Sequence, residues 1–362
     1  MVTAAARIAS SPGIVRLCIA RHRVVWLFGN HRQHGPNPTR LVDGQKESSP
    51  LCCTLNTMQP GLSTYVFFQH RLHPGLLDAL HAAGATTIEV FAARHHFDYT
   101  DTPAVRELAA WFRSNDVRAV LHQPIYISDR ADAQWSRHVA ANLNLIATEK
   151  THRIAAMDEV KRALECAEQV PFAAAVLHLG LRDTAWDDDA IEHSITAIEH
   201  LKAFASPLGV RLLLENVQNE VTTPDHLLYI LKSGHFDSVG VCLDLGHLHL
   251  AQPATGAPAD SGLGAAVELL GARIAQLHLH DNHGPLAHTI DMKDEHLWPG
   301  NGAPVNGTID WNAVAPALAT LPAATPGILE PACDRDEAPE SITARAEKTF
   351  RTLLQQQSPQ HM

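Results

Sequence analysis

The densest run of chemistry-bearing side chains is RIAQLHLHDNHGPLAHTIDMKDEHLWPGNG, from Arg273 to Gly302. Ile274–Leu279 has the composition of a buried strand, and His278 and His280 lie two apart at its end. Side chains at i and i+2 share one face of a strand, so both imidazoles project the same way. Asp281 and His283 follow at once, and a loop then delivers Asp294, His296 and a Gly300-Asn301-Gly302 turn. Buried polar groups of this kind cost free energy unless each finds a partner. A divalent cation is the simplest partner that imidazoles and carboxylates share.

The remaining elements show whether other strands end the same way. Tyr65–Phe68, Thr87–Phe91, Arg118–Leu121, Ala173–Leu177, Arg211–Leu214, Val239–Leu243, Ile274–Leu279 and Gly327–Leu329 read as short apolar strands. Between and after them, helical spacing covers Pro74–Ala83, Pro103–Arg113, a long region from about Ala131 to Glu168, and Asp187–Ala205. A further helix opens at Thr223 or Pro224, capped by Thr222 or Thr223, and is followed by Asp260–Leu270, Trp311–Leu321 and Pro339–Gln356. Continuous apolar strands alternating with amphipathic helices imply a parallel sheet covered on its outer face. Eight such units over about 300 residues predict a (β/α)₈ TIM barrel. A doubly wound open sheet is the rival, but no strand leads into a G-x-G-x-x-G turn.

In such a barrel the C-terminal strand ends carry the chemistry. Those ends hold His122, His178, Glu215, Asp244 with His247, His278 with His280, and Glu330, while Asp294 and His296 come from the loop after the seventh strand. Each has an ordinary explanation taken alone. A lone histidine is commonly hydrogen-bonded locally, Asp244 could cap a helix, Glu215 could pair with an arginine, and Asp294-Glu295 could be solvated loop charge. Those explanations would have to hold independently at six strand ends, so the set as a whole points to metal. Trp298 could wall the pocket or simply be buried. His249, His283 and His288 are set aside as ligands, and His70, His73, His81, His95 and His96 read as surface or pocket-rim residues.

Composition narrows the class. The chain has 362 residues, 45% hydrophobic and 19% charged, ordinary for a globular protein with a sizeable core. A net charge of −11 gives no general attraction to nucleic acid or to an anionic membrane. The 24 histidines are a surplus that suits a metal enzyme. Six cysteines without C-x-x-C spacing read as reduced thiols, hence a cytoplasmic protein, and no apolar run reaches the ~18 residues of a membrane span. Residues 1–60 differ from the rest: six arginines, Arg7 to Arg40, precede the first acidic residue, Asp43, and no period is sustained. The expected layout is therefore a disordered or mis-assigned N-terminal extension, 1–60, outside a barrel of residues 61–358.

LLLEN (Leu212–Asn216), VCLDLGH (Val241–His247), HLHD (His278–Asp281), DEHLWPGNG with IDW (Asp294–Trp311) and ILEP (Ile328–Pro331) resemble the xylose-isomerase-like barrel superfamily. The likeness spans about residues 63–356, and the superfamily contains sugar and sugar-phosphate isomerases and epimerases as well as endonuclease IV. Resemblance to the epimerase branch implies one divalent ion on Glu215, Asp244, His278 and Glu330, with the two glutamates as the catalytic acid–base pair. His247 would then hold substrate; from the residues themselves, His280, whose partner is either Asp281 or substrate, and Trp298 are the further candidate substrate contacts. Resemblance to endonuclease IV implies a trinuclear zinc site, for which His122, His178, Glu215, Asp244, His247, His278, Asp294, His296 and Glu330 supply all nine ligands. The chain departs from that enzyme at VQNEV after Asn216, at LGHLHL after Asp244, and in lacking a Gly-His-Val-Ser start and a basic, aromatic-laced loop for gripping DNA. The resulting expectation is a zinc-, manganese- or cobalt-dependent isomerase or epimerase with one to three ions, acting on a sugar, polyol or sugar phosphate. A multinuclear zinc phosphodiesterase is the alternative, and a barrel that only binds carbohydrate is a third reading. Nucleic acid and membrane are not expected partners, and the oligomeric state is open.

Overall fold

Strands buried on both faces must be apolar along their whole length, and eight such strands form the centre of the molecule. They are β1 (Gln59–Ser63), β2 (Thr87–Phe91), β3 (Arg118–His122), β4 (Phe172–His178), β5 (Arg211–Glu215), β6 (Gly240–Asp244), β7 (Ile274–Leu279) and β8 (Pro326–Leu329). In the computed structural model they pair in parallel in chain order, and β8 returns to β1 to close the barrel. The structure describes residues 58–127, 141–182, 184–251, 261–284, 294–300 and 307–356. The N-terminal extension lies outside them up to residue 57, as do His288, Asn301 and Gly302.

The surrounding helices are α1 (Pro74–Ala82), α2 (Thr102–Ser114), α3 (Lys150–Glu165), α4 (Asp188–Ala205), α5 (Pro224–Ser233), α6 (Leu245–Ala251), α7 (Ser261–Leu270), α8 (Trp311–Leu318) and α9 (Pro339–Gln356). Their starts follow capping chemistry. Asp187 accepts from Ala190 N at 2.8 Å, and Thr223, not Thr222, accepts from His226 N ahead of Pro224. The main core lies between the outward strand faces and the helices, with Trp311, Phe67 and Phe236 among its largest fully buried side chains.

Several expected boundaries move. The first strand is Gln59–Ser63, and Thr64–Phe67 is a 3₁₀ turn capped by Ser63, whose Oγ accepts from Tyr65 N at 3.3 Å. Pro60 and Gly61 disguise that strand. Pro60 still contributes its carbonyl, which accepts from Thr86 N at 2.9 Å. Gly61 is required by packing, since a Cβ there would lie 2.2 Å from Ile328 Cδ1. The strand therefore begins two residues before the expected boundary at 61. Of the helical region expected from about Ala131, residues 131–140 lie outside the described ones, 141–149 form a connection and α3 runs from Lys150; α6 is a short helix not separated in sequence from the sixth strand end.

The barrel interior positions the site. Val120, Ala174, Val176, Leu213 and Cys242 pack together inside it. Two residues beyond Val120, Val176, Leu213 and Cys242 come His122, His178, Glu215 and Asp244, each the last residue of its strand. The two-residue period puts each of these on the same inward face as the apolar residue beneath it. An apolar plug thus floors a polar mouth. Because the extension shows no periodic apolar face, deleting residues 1–57, which leaves β1 whole, should leave the melting temperature and metal content nearly unchanged. A large fall in melting temperature would show instead that the extension packs on the barrel.

Candidate metal centre

The polar mouth gathers into three groups with one shared member. His122, His178 and Glu215 form one, Glu215, Asp244, His278 and Glu330 the second, and His247, His280, Asp294 and His296 the third. Within each group one nitrogen or carboxylate oxygen per residue lies within 4.8 Å of the others. The structure therefore brings together all nine residues singled out as ligands and adds His280. The donors are nitrogen and oxygen only, converge from five strands, helix α6 and two loops, and are largely withdrawn from solvent, which fits a divalent cation.

Hydrogen bonds fix which nitrogen each ring can offer. Nδ1 of His122 donates to Gln123 O at 2.9 Å, Nδ1 of His247 to Asn216 O at 3.0 Å, and Nδ1 of His296 to Glu330 O at 2.8 Å. Each of these rings then presents Nε2: His122 at 3.5 Å from Glu215 Oε2, His247 at 2.9 Å and His296 at 3.0 Å from Asp294 Oδ2. His278 is turned the other way. Its Nδ1 lies 3.2 Å from Glu215 Oε1, 3.3 Å from Glu330 Oε2 and 3.6 Å from Asp244 Oδ2.

Two local devices hold the third group. Asp281 N and Leu297 N each donate to the other residue's carbonyl at 2.8 Å, pinning the loop that carries Asp294 and His296 to the end of β7. The Asp281 carboxylate accepts from Trp311 Nε1 at 2.9 Å, Ile309 N at 3.1 Å and Asn282 N at 2.8 Å, while Asn282 Oδ1 accepts from Glu295 N at 2.6 Å. Gly246, between Asp244 and His247, leaves room for a ring: a Cβ there would lie 2.2 Å from His280 Cε1.

A family model for the xylose isomerase-like TIM barrel matches residues 77–353. This chain belongs to that family. Among curated relatives, a probable endonuclease 4 of Moorella thermoacetica is 36% identical over 121 residues, 31% of this chain and 42% of that protein, so the match spans less than half of the relative. Among solved structures, the IolI protein with a bound zinc atom aligns with a TM-score of 0.65 at 18% identity, covering 84% of this chain and 100% of the other. A D-tagatose 3-epimerase-like protein aligns at 0.58 and 20% identity, covering 82% and 98%. At these identities the structural likeness establishes the fold.

In this xylose isomerase-like barrel, His280 is a neighbour of the ligands: its ring stacks on His296 at 3.8 Å and its Nε2 faces Asp244 Oδ2 at 3.0 Å, so its carboxylate partner is Asp244 and not Asp281. Trp298 sits in the hydrophobic core with the Arg345 guanidinium 4.7 Å over its ring, packing that accounts for it without a substrate. His96, expected at the surface or rim, is fully buried and bridges His70 O at 2.6 Å and Thr64 Oγ1 at 3.0 Å. Sequence reasoning passed over Glu89. It stands mid-β2, fully buried, with Oε2 at 3.0 Å from His278 Nε2. The one signal was a carboxylate inside an otherwise apolar TIEVF strand.

Without a cation, the carboxylates and imidazoles neutralise one another. Burial pushes the Glu215 carboxyl up, but His278 and His178 outweigh it and hold it well below the ordinary range. Burial likewise opposes a charge on His247, yet Asp244 and Asp294 drive that ring well above its usual value. His278 is raised in the same sense, with Glu89, Glu215 and Glu330 contributing, and His296 reaches about 9 against its burial because of Asp294. A ring raised from 6.5 to about 9 stabilises the metal-free fold fully below about pH 6.5 and loses that contribution as pH rises through about 9. Ligation requires neutral rings, so a cation must displace these protons. We expect zinc binding at about pH 7 to release more than one proton per chain, read by calorimetry in buffers of different ionisation heat. Affinity should fall as pH falls. Binding with no proton release would show that the rings are already neutral.

Proposed function

We propose that this chain is a divalent-metal-dependent isomerase or epimerase that moves a proton next to the carbonyl of a sugar, polyol or sugar phosphate. The observation that carries this reading is the convergence of two glutamates from different sides of the ring on one point. Glu215 of β5 and Glu330, just past β8, approach the same His278 Nδ1 at 3.2 and 3.3 Å. A substrate seated over that point lies between two carboxylates that can exchange a carbon-bound proton. When bound, zinc, manganese or cobalt on Glu215, Asp244, His278 and Glu330 would withdraw electrons from the carbonyl and make the neighbouring C–H more acidic. Glu330, to which Ser63 Oγ donates at 3.4 Å, takes the proton from one face, and Glu215 returns one on the other. His247 is assigned the substrate hydroxyls, and His280, fully buried with Nε2 facing Asp244 Oδ2, the orientation of that carboxylate.

Beside the imidazoles stands an aromatic cluster of Phe68, Phe91 and Tyr126 with Tyr65 against it. The Tyr65 ring lies 5.0 Å from His296 and Phe91 stacks on His122 at 4.7 Å. Such a wall suits the C–H face of a sugar. The net charge of −11 supports a small substrate over a polyanion. No helix among the described residues is long and apolar enough to cross a membrane. With Cys166, Cys242 and Cys333 as free thiols, the reading places the enzyme in cytoplasmic carbohydrate metabolism.

One observation favours a second reading, a multinuclear zinc phosphodiesterase. Three ligand groups are present where a one-ion epimerase needs the central one, and a curated relative is named a probable endonuclease 4. Two assays separate the readings. Under the first, a suitable ketose in D₂O takes up deuterium next to its carbonyl, and Glu330→Gln lowers that exchange by of order 10²-fold or more, since an amide cannot take the proton. Under the second, the protein holds two or three ions and cleaves abasic-site DNA. Cleavage at enzyme-like rates with no deuterium uptake across a ketose panel would overturn the isomerase reading.

A further inference from the structure

Glu89 belongs to none of the three ligand groups, yet it lies against the central one. It accepts from Gln276 Nε2 at 2.6 Å and, through the same Oε2, from His278 Nε2 at 3.0 Å. Gln276 and His278 sit two apart on β7, so both reach into the barrel toward β2. A proton on Nε2, directed at Glu89, leaves the lone pair on Nδ1, which faces Glu215, Asp244 and Glu330. His122, His247 and His296 follow the opposite rule, donating from Nδ1 to neutral backbone carbonyls and presenting Nε2. His278 is thus distinguished twice, by its inverted ring and by an anion behind it. A glutamine at position 89 would satisfy the same donors, so hydrogen bonding alone does not call for the charge.

We propose that Glu89 is a positioning residue of the metal centre: it fixes His278 as an Nδ1 ligand, strengthens that ring as a donor, and makes the central group the tightest of the three. Carboxylates behind ligand histidines act in this way, and removing one costs ~10–100-fold in metal affinity. The inference rests on reading the central group as a metal centre and not on the isomerase reaction.

The test uses the full chain with zinc alone as the probe. In chelator competition, Glu89→Gln should bind its tightest zinc ~10–100-fold more weakly than the parent, with Glu89→Asp recovering part of the loss because it keeps the charge. Partial recovery by Glu89→Asp is the readout a merely structural role would not give, because the shorter side chain disturbs the packing at least as much as the isosteric amide does. Equal zinc affinity in parent and Glu89→Gln would overturn the proposal while leaving the metal centre intact. A parent that takes up no zinc would overturn both. Should the variants fail to fold, ¹⁵N-histidine spectra of the zinc-loaded parent decide. One ligand ring bound through Nδ1 with Nε2 protonated is expected, and ligation through Nε2 at every ring would overturn the inference.

Discussion

The structure turns on a concentration of negative charge in a place that water barely reaches. Glu215, Asp244 and Glu330 are buried at the top of the barrel with Asp294 beside them, and Glu89 is buried one layer below on β2. Burying one isolated carboxylate costs several kcal/mol even after relaxation, and neighbouring anions raise the cost further. The chain meets this by facing every one of them with imidazole: His278 for Glu89, Glu215 and Glu330, His122 and His178 for Glu215, His280 for Asp244, His247 and His296 for Asp294. Glu215 belongs to two groups at once, so the centre is one connected network in which moving a single carboxylate disturbs its neighbours.

A closed barrel is well suited to holding such a network. Its strands cannot slip by one residue without turning a carboxylate from the mouth into the helix layer, where an apolar face is required. The layer beneath the ligands is apolar on β3 to β6, from Val120 to Cys242, and on its other side holds Glu89 and Gln276, which satisfy each other at 2.6 Å. The third group depends on something softer, a loop after β7. It gains precision by borrowing the strand end: Asp281 and Asn282 hold the backbone of 295, 297 and 309 and the Trp311 indole. Strand ends thus carry the inner two groups, while the outer one joins Asp294 and His296 of the pinned loop to His247 of α6 and His280 just past β7.

What could be read beforehand follows the same division. Strand ends announced themselves because an apolar run that stops at His122, His178, Glu215 or Asp244 breaks its own pattern, and that pattern fixed their side of the sheet. The first strand did not, because Pro60 and Gly61 look like a turn until Ile328 is seen pressing against Gly61. Glu89 was illegible for a different reason. A lone carboxylate inside a strand normally marks a solvent face, and only closure of the barrel shows that the face across from it carries Gln276 and His278. His280 was seen, but its partner Asp244 lies on a neighbouring strand, 36 residues away, beyond what local spacing reveals.

The choice of histidine over lysine or arginine as counter-charge has a consequence for how the barrel can be both stable and reactive. A guanidinium would neutralise the carboxylates permanently, since it does not lose its proton in proteins. Imidazole neutralises them only while nothing better is present. His247, His278 and His296 are drawn above their ordinary values by these same carboxylates, so the network favours protons on imidazole, which remain exchangeable. A cation bound there would take over the role of those protons, and each ring that gave one up would become a donor. The residues that keep the metal-free fold from paying the full cost of its buried anions are therefore the ones that stand ready as ligands.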